Sequence, residues 1–223
     1  MKKLLVFFVL LSTIALGSCE KRNLRQLVKD MAEAAVDTTG MEARSILLDN
    51  FSAVSIDCFA DVTYHQTALT DTPSVTLQAL PEVLKNVRVK VDNGELQVDI
   101  NHRYRMPDNA VVLMDVYAPF ISRVRVSGAK CFRLGKVAVQ SPLEVKFEGL
   151  GALTADSITT PELFLHTAGG ASADVSGLQV QHVRLKQEER SVVWVKGSCM
   201  ALDVEAEQDT FVNVSGLQVV QQQ

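Results

Sequence analysis

Val175-Ser176-Gly177-Leu178-Gln179-Val180 recurs intact as Val214-Ser215-Gly216-Leu217-Gln218-Val219, two periods of about 20 residues later. The period extends through the whole C-terminal half. Val124, Val145, Leu165, Leu185 and Val204 are separated by 21, 20, 20 and 19 residues. The same offsets carry Phe132 to Leu153, Ala173, Val193 and Val212, and Leu134 to Ala155, Val175, Val195 and Val214. They also carry Lys136 to Ser157, Gly177, Gly197 and Gly216, and Val137 to Ile158, Leu178, Ser198 and Leu217. A second turn column, Gly128, Gly149 and Gly169, continues as Glu189 and Gln208.

Each period reads as a coil of two short strands, each followed by a tight turn, with glycine supplying the positive φ that such turns need. One coil cannot bury its apolar columns, but stacked coils bury a continuous core. A sandwich also has regular short strands, yet it does not require several columns to repeat together. The columns therefore predict a β-solenoid over about 124–219, its coils about 4.8 Å apart.

Upstream, from Phe51, the pattern is apolar alternation: Val54 and Ile56, Val62 and Tyr64, Val75 and Leu77. Val87, Val89 and Val91 are followed by Asp92-Asn93-Gly94 and then Leu96, Val98 and Ile100, a hairpin signal. Val111 to Tyr117 is a further strand, and Pro81 to Asn86 suggests one helical turn. The body is expected to be all-β.

The N-terminus differs. Lys2 and Lys3 precede an apolar stretch, Leu4 to Leu16, that is too short to span a bilayer and reads as an export signal. It ends in Leu16-Gly17-Ser18-Cys19, which resembles the bacterial lipoprotein signal. That resemblance implies cleavage before Cys19, a lipid on its thiol, and anchoring in the bacterial outer membrane, on the periplasmic or the surface side. Leu24, Leu27, Val28, Met31 and Ala35 then recur at helical spacing, with Asn23 as N-cap and Gly40 as stop. The expected division is a signal over 1–18, a tether with a short amphipathic helix over 19–46, and the solenoid domain over 47–223.

The net charge of −4, or −6 once Lys2 and Lys3 are removed, argues against a nucleic-acid partner. Besides Cys19, the cysteines are Cys58, Cys131 and Cys199. This odd, widely spaced set reads as small apolar residues, with one disulfide as the lesser alternative.

Phe51-Ser-Ala-Val-Ser-Ile-Asp, Ala118-Pro-Phe-Ile-Ser-Arg-Val-Arg-Val-Ser-Gly-Ala129 and the glycine-centred repeats after them resemble the putative auto-transporter adhesin head GIN domain family over about 47–219. The resemblance implies a right-handed β-helix-like superhelix of two sheets with Ser-Gly turns, often in lipoproteins of Bacteroidetes-type bacteria. It also implies a cell-adhesion role, without supplying a ligand or catalytic residues; a glycan or protein partner at the cell surface is the expectation that fits such a role. Glu189 and Gln208 depart from the turn-glycine pattern.

No nucleophile elbow, phosphate-cradling loop or metal-spaced histidine pair is present in the sequence, and no cofactor is expected. His65, His102, His166 and His182 read as surface residues. β-Helices also host polysaccharide lyases, but that chemistry needs clustered carboxylates with a basic catalyst. Asp156 and Asp174 are near each other in the coil alignment without sharing a column. If Val124 and its equivalents point inward, then Arg125, Lys146, His166 and Lys186 form an outward basic ladder, followed by Glu205. Glu144, Asp203 and Glu205 could neutralise it, making it a solvated mixed-charge face; otherwise it could meet an anionic polymer. Arg103, Tyr104 and Arg105 read as an exposed loop, and Trp194 as an outward side chain tolerant of change. The expectation is a lipid-anchored, non-catalytic adhesion or binding domain, with an envelope assembly component as the alternative, a carbohydrate-active β-helix enzyme behind it, and oligomerisation open.

Overall fold

The computed structural model describes residues 35–107 and 110–220, together with Gln26 and Asp30. The chain divides into two compact units, Met1–Ala35 and Val36–Gln223. In the first unit Gln26 and Asp30 are helical, and Gln26 Nε2 donates to Asp30 Oδ1 at 2.8 Å across one turn. Leu24, Leu27, Val28 and Met31 of the expected amphipathic helix, and its Asn23 cap, lie outside the described residues, as does the segment up to Cys19.

The second unit contains fifteen strands among the described residues. The first seven are β1 (Glu42–Leu47), β2 (Ala53–Asp57), β3 (Ala60–Gln66), β4 (Ser74–Ala79), β5 (Val87–Asp92), β6 (Glu95–Ile100) and β7 (Val112–Ala118). The repeats form β8 (Arg123–Ser127), β9 (Cys131–Ala138), β10 (Leu143–Glu148), β11 (Ala152–Ala168), β12 (Ser172–Gln187), β13 (Val192–Cys199), β14 (Ala201–Ala206) and β15 (Phe211–Val219). A single helical turn, Pro81–Leu84, buries Val83 and Leu84.

The strands stack in two sheets. Sheet 1 runs β5, β6, β2, β8, β10, the second half of β11, the second half of β12, and β14. Sheet 2 runs β1, β4, β7, β3, β9, the first half of β11, the first half of β12, β13 and β15. β11 and β12 pass through the corner without a break and join the sheets into one hydrogen-bonded network. All pairings are parallel except β1–β4, β4–β7 and β5–β6, which lie at the N-terminal end. The fold is thus an all-β solenoid of about five turns with coils of about 20 residues.

The apolar columns are the reason for this stacking. Val54, Val124, Val145, Leu165 and Leu185 pair in register and are buried in sheet 1. Opposite them in sheet 2, Val62, Phe132, Leu153, Ala173 and Val193 are buried in the same way. Each large apolar side chain withdrawn from water stabilises the coil by about 1.5–3 kcal/mol. The second inward column of sheet 1, Ile56, Val126 and Phe147, turns polar as Thr167 and Gln187. Those two are linked through the Gln187 side-chain oxygen and Ser191: Thr167 Oγ1 donates to Gln187 Oε1, and Ser191 Oγ donates to Thr167 O at 3.1 Å.

Asn93 (φ 50°) and Gly94 (φ 73°) turn the β5–β6 hairpin as expected. Three expectations change. First, the domain starts before residue 47, because β1 pairs with β4 from Glu42 onward. β1 is an edge strand with most side chains in solvent, so its sequence has no apolar alternation to reveal it. Second, Gly197 pairs with Leu178 and Leu217 rather than with the glycine column. The fourth coil is a residue shorter there; Gly197 has φ 134°, and a Cβ on it would sit 2.3 Å from Leu178 O. Third, the turn after sheet 1 stays tight without glycine. Glu189 (φ 52°) and Arg190 (φ 62°) adopt the left-handed conformation that Gly169 (φ 74°) and Gly170 (φ 80°) adopt one coil earlier.

Candidate functional site

Parallel pairing in sheet 1 brings the expected ladder together. Ser55 opposes Arg125, Arg125 opposes Lys146, Lys146 opposes His166, His166 opposes Lys186, and Lys186 opposes Glu205. The inward residues on either side of them are core, so these side chains project outward from successive strands about 4.8 Å apart.

Two residues further along each strand lies an acidic column that contains Asp57, Asp99 and Glu148 and continues as Glu188 in the turn. It neutralises much of the ladder. Lys146 Nζ is 2.9 Å from Glu148 Oε1, and Lys186 Nζ is 2.8 Å from Glu188 Oε1. Glu188 Oε2 also meets His166 Nε2 at 2.7 Å. The Lys186 hydrogen bond, with that of His166, holds the Glu188 carboxyl below its ordinary range, and Glu188 in turn raises the Lys186 ammonium. On the other flank Arg184 lies 3.0 Å from Glu162, and Arg123 lies 3.7 Å from Glu95.

Arg125 is exposed and has no charge partner among the described residues. It borders a groove of about 630 Å³ whose lining includes Ser55, Asp57, Glu144, Lys146, Phe164 and His166. Phe164 also lines a second depression with Glu144, Glu162 and Arg184. Among the described residues the face therefore offers Arg125 as a cation outside any ion pair, carboxylates and hydroxyls as hydrogen-bonding groups, and an aromatic ring. His166 does not read as a surface histidine: only 8% of the residue is exposed, because its ring lies under the Glu188 contact.

The other candidates fall elsewhere. His182 Nε2 meets Asp203 at 2.8 Å, and His65 Nε2 meets Asp115 at 2.8 Å while stacking on Tyr117. Arg103 and Arg105 are exposed in the loop after β6, with Tyr104 half-buried against the core. Asp174 pairs with Thr154 and Trp194, not with Asp156. Cys58, Cys131 and Cys199 are free and buried; burial pushes the first thiol up to about 12 and the second to about 11. Among the described residues no cluster of His, Cys, Asp or Glu could hold a metal ion. A further groove, about 690 Å³, follows the corner crossed by β11 and β12, lined by Val139, Val180, Met200 and Val220 among others.

Sheet 2 has features that sequence reading missed. Trp194 is buried, 4% exposed, with its ring edge-on to Phe211 at 6.0 Å, so it is not an exposed side chain. Its outward position is correct in register, but a large ring spreads over its neighbours instead of standing in water. Asp61 is also buried on this sheet, accepting hydrogen bonds from Arg133, with Lys130 Nζ 3.6 Å away. These residues meet through the β3–β9 pairing, which brings together positions about 70 residues apart, and no local motif announces it.

Comparisons place this fold beside solved structures. The "Putative lipid binding protein from Parabacteroides distasonis ATCC 8503" superimposes with a TM-score of 0.71 at 14% identity, covering 83% of this chain and 78% of that one. A "putative adhesin" from the same organism gives 0.69 at 15% identity with the same coverage. A "putative adhesin" from Bacteroides fragilis NCTC 9343 gives 0.63 at 10% identity, covering 81% of this chain and 99% of that one. At these identities the likeness is one of fold. No curated protein matches the sequence. Residues 50–222 match the family described as "Putative auto-transporter adhesin, head GIN domain", and with most of its length matched the chain belongs to that family.

Proposed function

We propose that this protein is an exported, lipid-anchored envelope protein whose solenoid displays a non-catalytic binding face on sheet 1, centred on Arg125. The Leu16–Cys19 motif supports the anchor, and family membership supports an adhesive role at the outer membrane. The observation that carries the site is Arg125 itself, an exposed cation without a carboxylate partner among the described residues, beside a groove containing Ser55, Glu144 and Phe164. An acidic glycan fits that set: a sugar carboxylate on Arg125, hydroxyls on Ser55 and Glu144, and a ring face on Phe164. Lys146 and Lys186 are held by Glu148 and Glu188, so they contribute less than the bare ladder suggests.

Binding of this kind is salt-sensitive and built from several weak contacts. Titration of the protein with polygalacturonate is expected to show affinity that falls as salt rises. Arg125→Glu should lower it about tenfold or more with an unchanged melting temperature, and Lys146→Glu with Lys186→Glu should lower it further. Absence of any salt-dependent binding to uronate or phosphorylated polymers would leave sheet 1 as a solvated mixed-charge face. Metabolic labelling with a fatty acid checks the anchor, with label expected on the wild type and none on Cys19→Ser; an unlabelled wild type would overturn it.

A further inference from the structure

Among the described residues four strands have a neighbour on one side only: β1, β5, β14 and β15. Exposed edges invite pairing with another chain, and charged side chains are a common defence. β1 carries Glu42 and Arg44, β5 carries Arg88, Lys90 and Asp92, and β14 carries Asp203 and Glu205. β15, Phe211–Val219, has no charged residue, and its last residue Val219 and the adjoining Val220 are about half exposed.

β15 is also self-complementary. Read outward from Ser215–Gly216, its residues mirror one another by class: Val214 with Leu217, Asn213 with Gln218, Val212 with Val219, and Phe211 with Val220. The facing matches as well. Val212, Leu217 and Val219 pair with Val193, Gly197 and Cys199 in the inward register, while the irregularity near Ser215 keeps Val214 on the same side. We propose that β15 pairs antiparallel with β15 of a second copy about a two-fold axis at Ser215–Gly216, joining two solenoids tail to tail.

Two identical ends that face each other must be related by such an axis, which makes the paired strands antiparallel. In this register Val212 opposes the partner's Val219, Val214 opposes the partner's Leu217, and Asn213 opposes the partner's Gln218. The open backbone groups of β15 gain partners, and its valines gain cross-strand neighbours. The acidic β14 is not forced against its counterpart. β15 begins a new coil above β13, whereas sheet 1 ends one level lower at β14. Two levels are therefore absent between β14 and the partner's β14, a separation of about 14 Å. At the opposite end the antiparallel hairpin and charged edges offer no equivalent surface, so the assembly closes as a dimer rather than growing into a fibre.

The test is sedimentation equilibrium of the full chain in mild detergent, together with cysteine cross-linking. The wild type is expected to show a monomer–dimer equilibrium. Val219→Lys, which sets a charge against the partner's Val212 from a half-exposed position, should weaken it at least about tenfold while retaining the melting temperature. Ser215→Cys should yield a disulfide-linked dimer under mild oxidation, and Glu205→Cys should not. A wild type that stays monomeric at high concentration, a dimer indifferent to Val219→Lys, or equal cross-linking by Glu205→Cys would each overturn the proposal.

Discussion

Sheets 1 and 2 share one inward pattern and differ on their outward faces. In sheet 1 the outward column is Arg125, Lys146, His166 and Lys186, polar and largely in contact with water or with paired carboxylates. In sheet 2 the corresponding column is Arg133, Thr154, Asp174 and Trp194, and of these Asp174 and Trp194 are buried at 3% and 4%. Alternation decides which side of a sheet a residue takes. It does not decide whether that side meets water.

The sharpest break is expected inside, where the sheets should behave alike. Val195→Asp in sheet 2 places a carboxylate at a position that is 1% exposed, and Leu185→Asp in sheet 1 does so at one that is 2% exposed. Neither charge would have a partner in the core, so each should cost more than about 4 kcal/mol. Chemical denaturation should show collapse of both; tolerance of either would mean the inward register is wrong.

Outside, the two sheets should separate. Trp194→Ala removes a buried ring that packs on Phe211, and about 3 kcal/mol is expected from the lost contacts and the space left behind. Lys146→Ala, on the outward column of sheet 1, should stay within about 0.5 kcal/mol of wild type. Equal costs in a thermal-melt comparison would erase the distinction between the two faces.

This contrast also marks what was legible in the sequence. The repeat columns disclosed the coils because the core imposes one apolar residue per coil at each position, and that constraint leaves a period. The ladder was legible for the same reason, since its residues lie between those columns. Its neutralisation was only half legible: Glu188 belongs to a turn, outside the strand columns that suggested Glu144, Asp203 and Glu205 as counter-charges. Burial of Trp194 depends on how a large ring packs across neighbouring strands, which alternation does not encode. β1 left no signal because an edge strand with exposed side chains needs no apolar period. Gly197 slipped out of its column because a one-residue deletion there is absorbed by a backbone conformation, not by a side chain.

A smaller and opposite effect is expected at the turn that leads from sheet 1 into sheet 2. Glu189 and Arg190 hold positive φ where the preceding coil uses Gly169 and Gly170. An L side chain in that conformation costs about 1 kcal/mol, so Arg190→Gly should stabilise by about that amount, less the extra freedom glycine gives the unfolded chain. The neighbouring Glu189 backbone N–H donates to Glu207 Oε2 at 2.9 Å, a bond that Arg190→Gly leaves in place. A Tm that falls in Arg190→Gly would mean that the arginine side chain makes a compensating contact.

The finest test returns to sheet 1 and asks how its ladder stays soluble without repelling itself. Glu188 ionises more readily in the folded chain than its ordinary value of 4.5, chiefly through Lys186 and then His166. A depressed carboxyl contributes stability that is present above its unfolded value and lost as pH falls through the folded one. Lys186 is raised above its ordinary 10.5 by the same contact, so its contribution is present below that value and lost as pH rises through the folded one. The pair should therefore stabilise the turn between about pH 5 and 10 and fade on both sides. The measurement is the stability difference between wild type and Lys186→Met across that range. It should be small, largest near neutrality, and reduced by salt, because both groups stand at the surface. A difference that does not change from pH 3 to 11 would assign the effect to packing of the lysine stem against sheet 1, not to its charge.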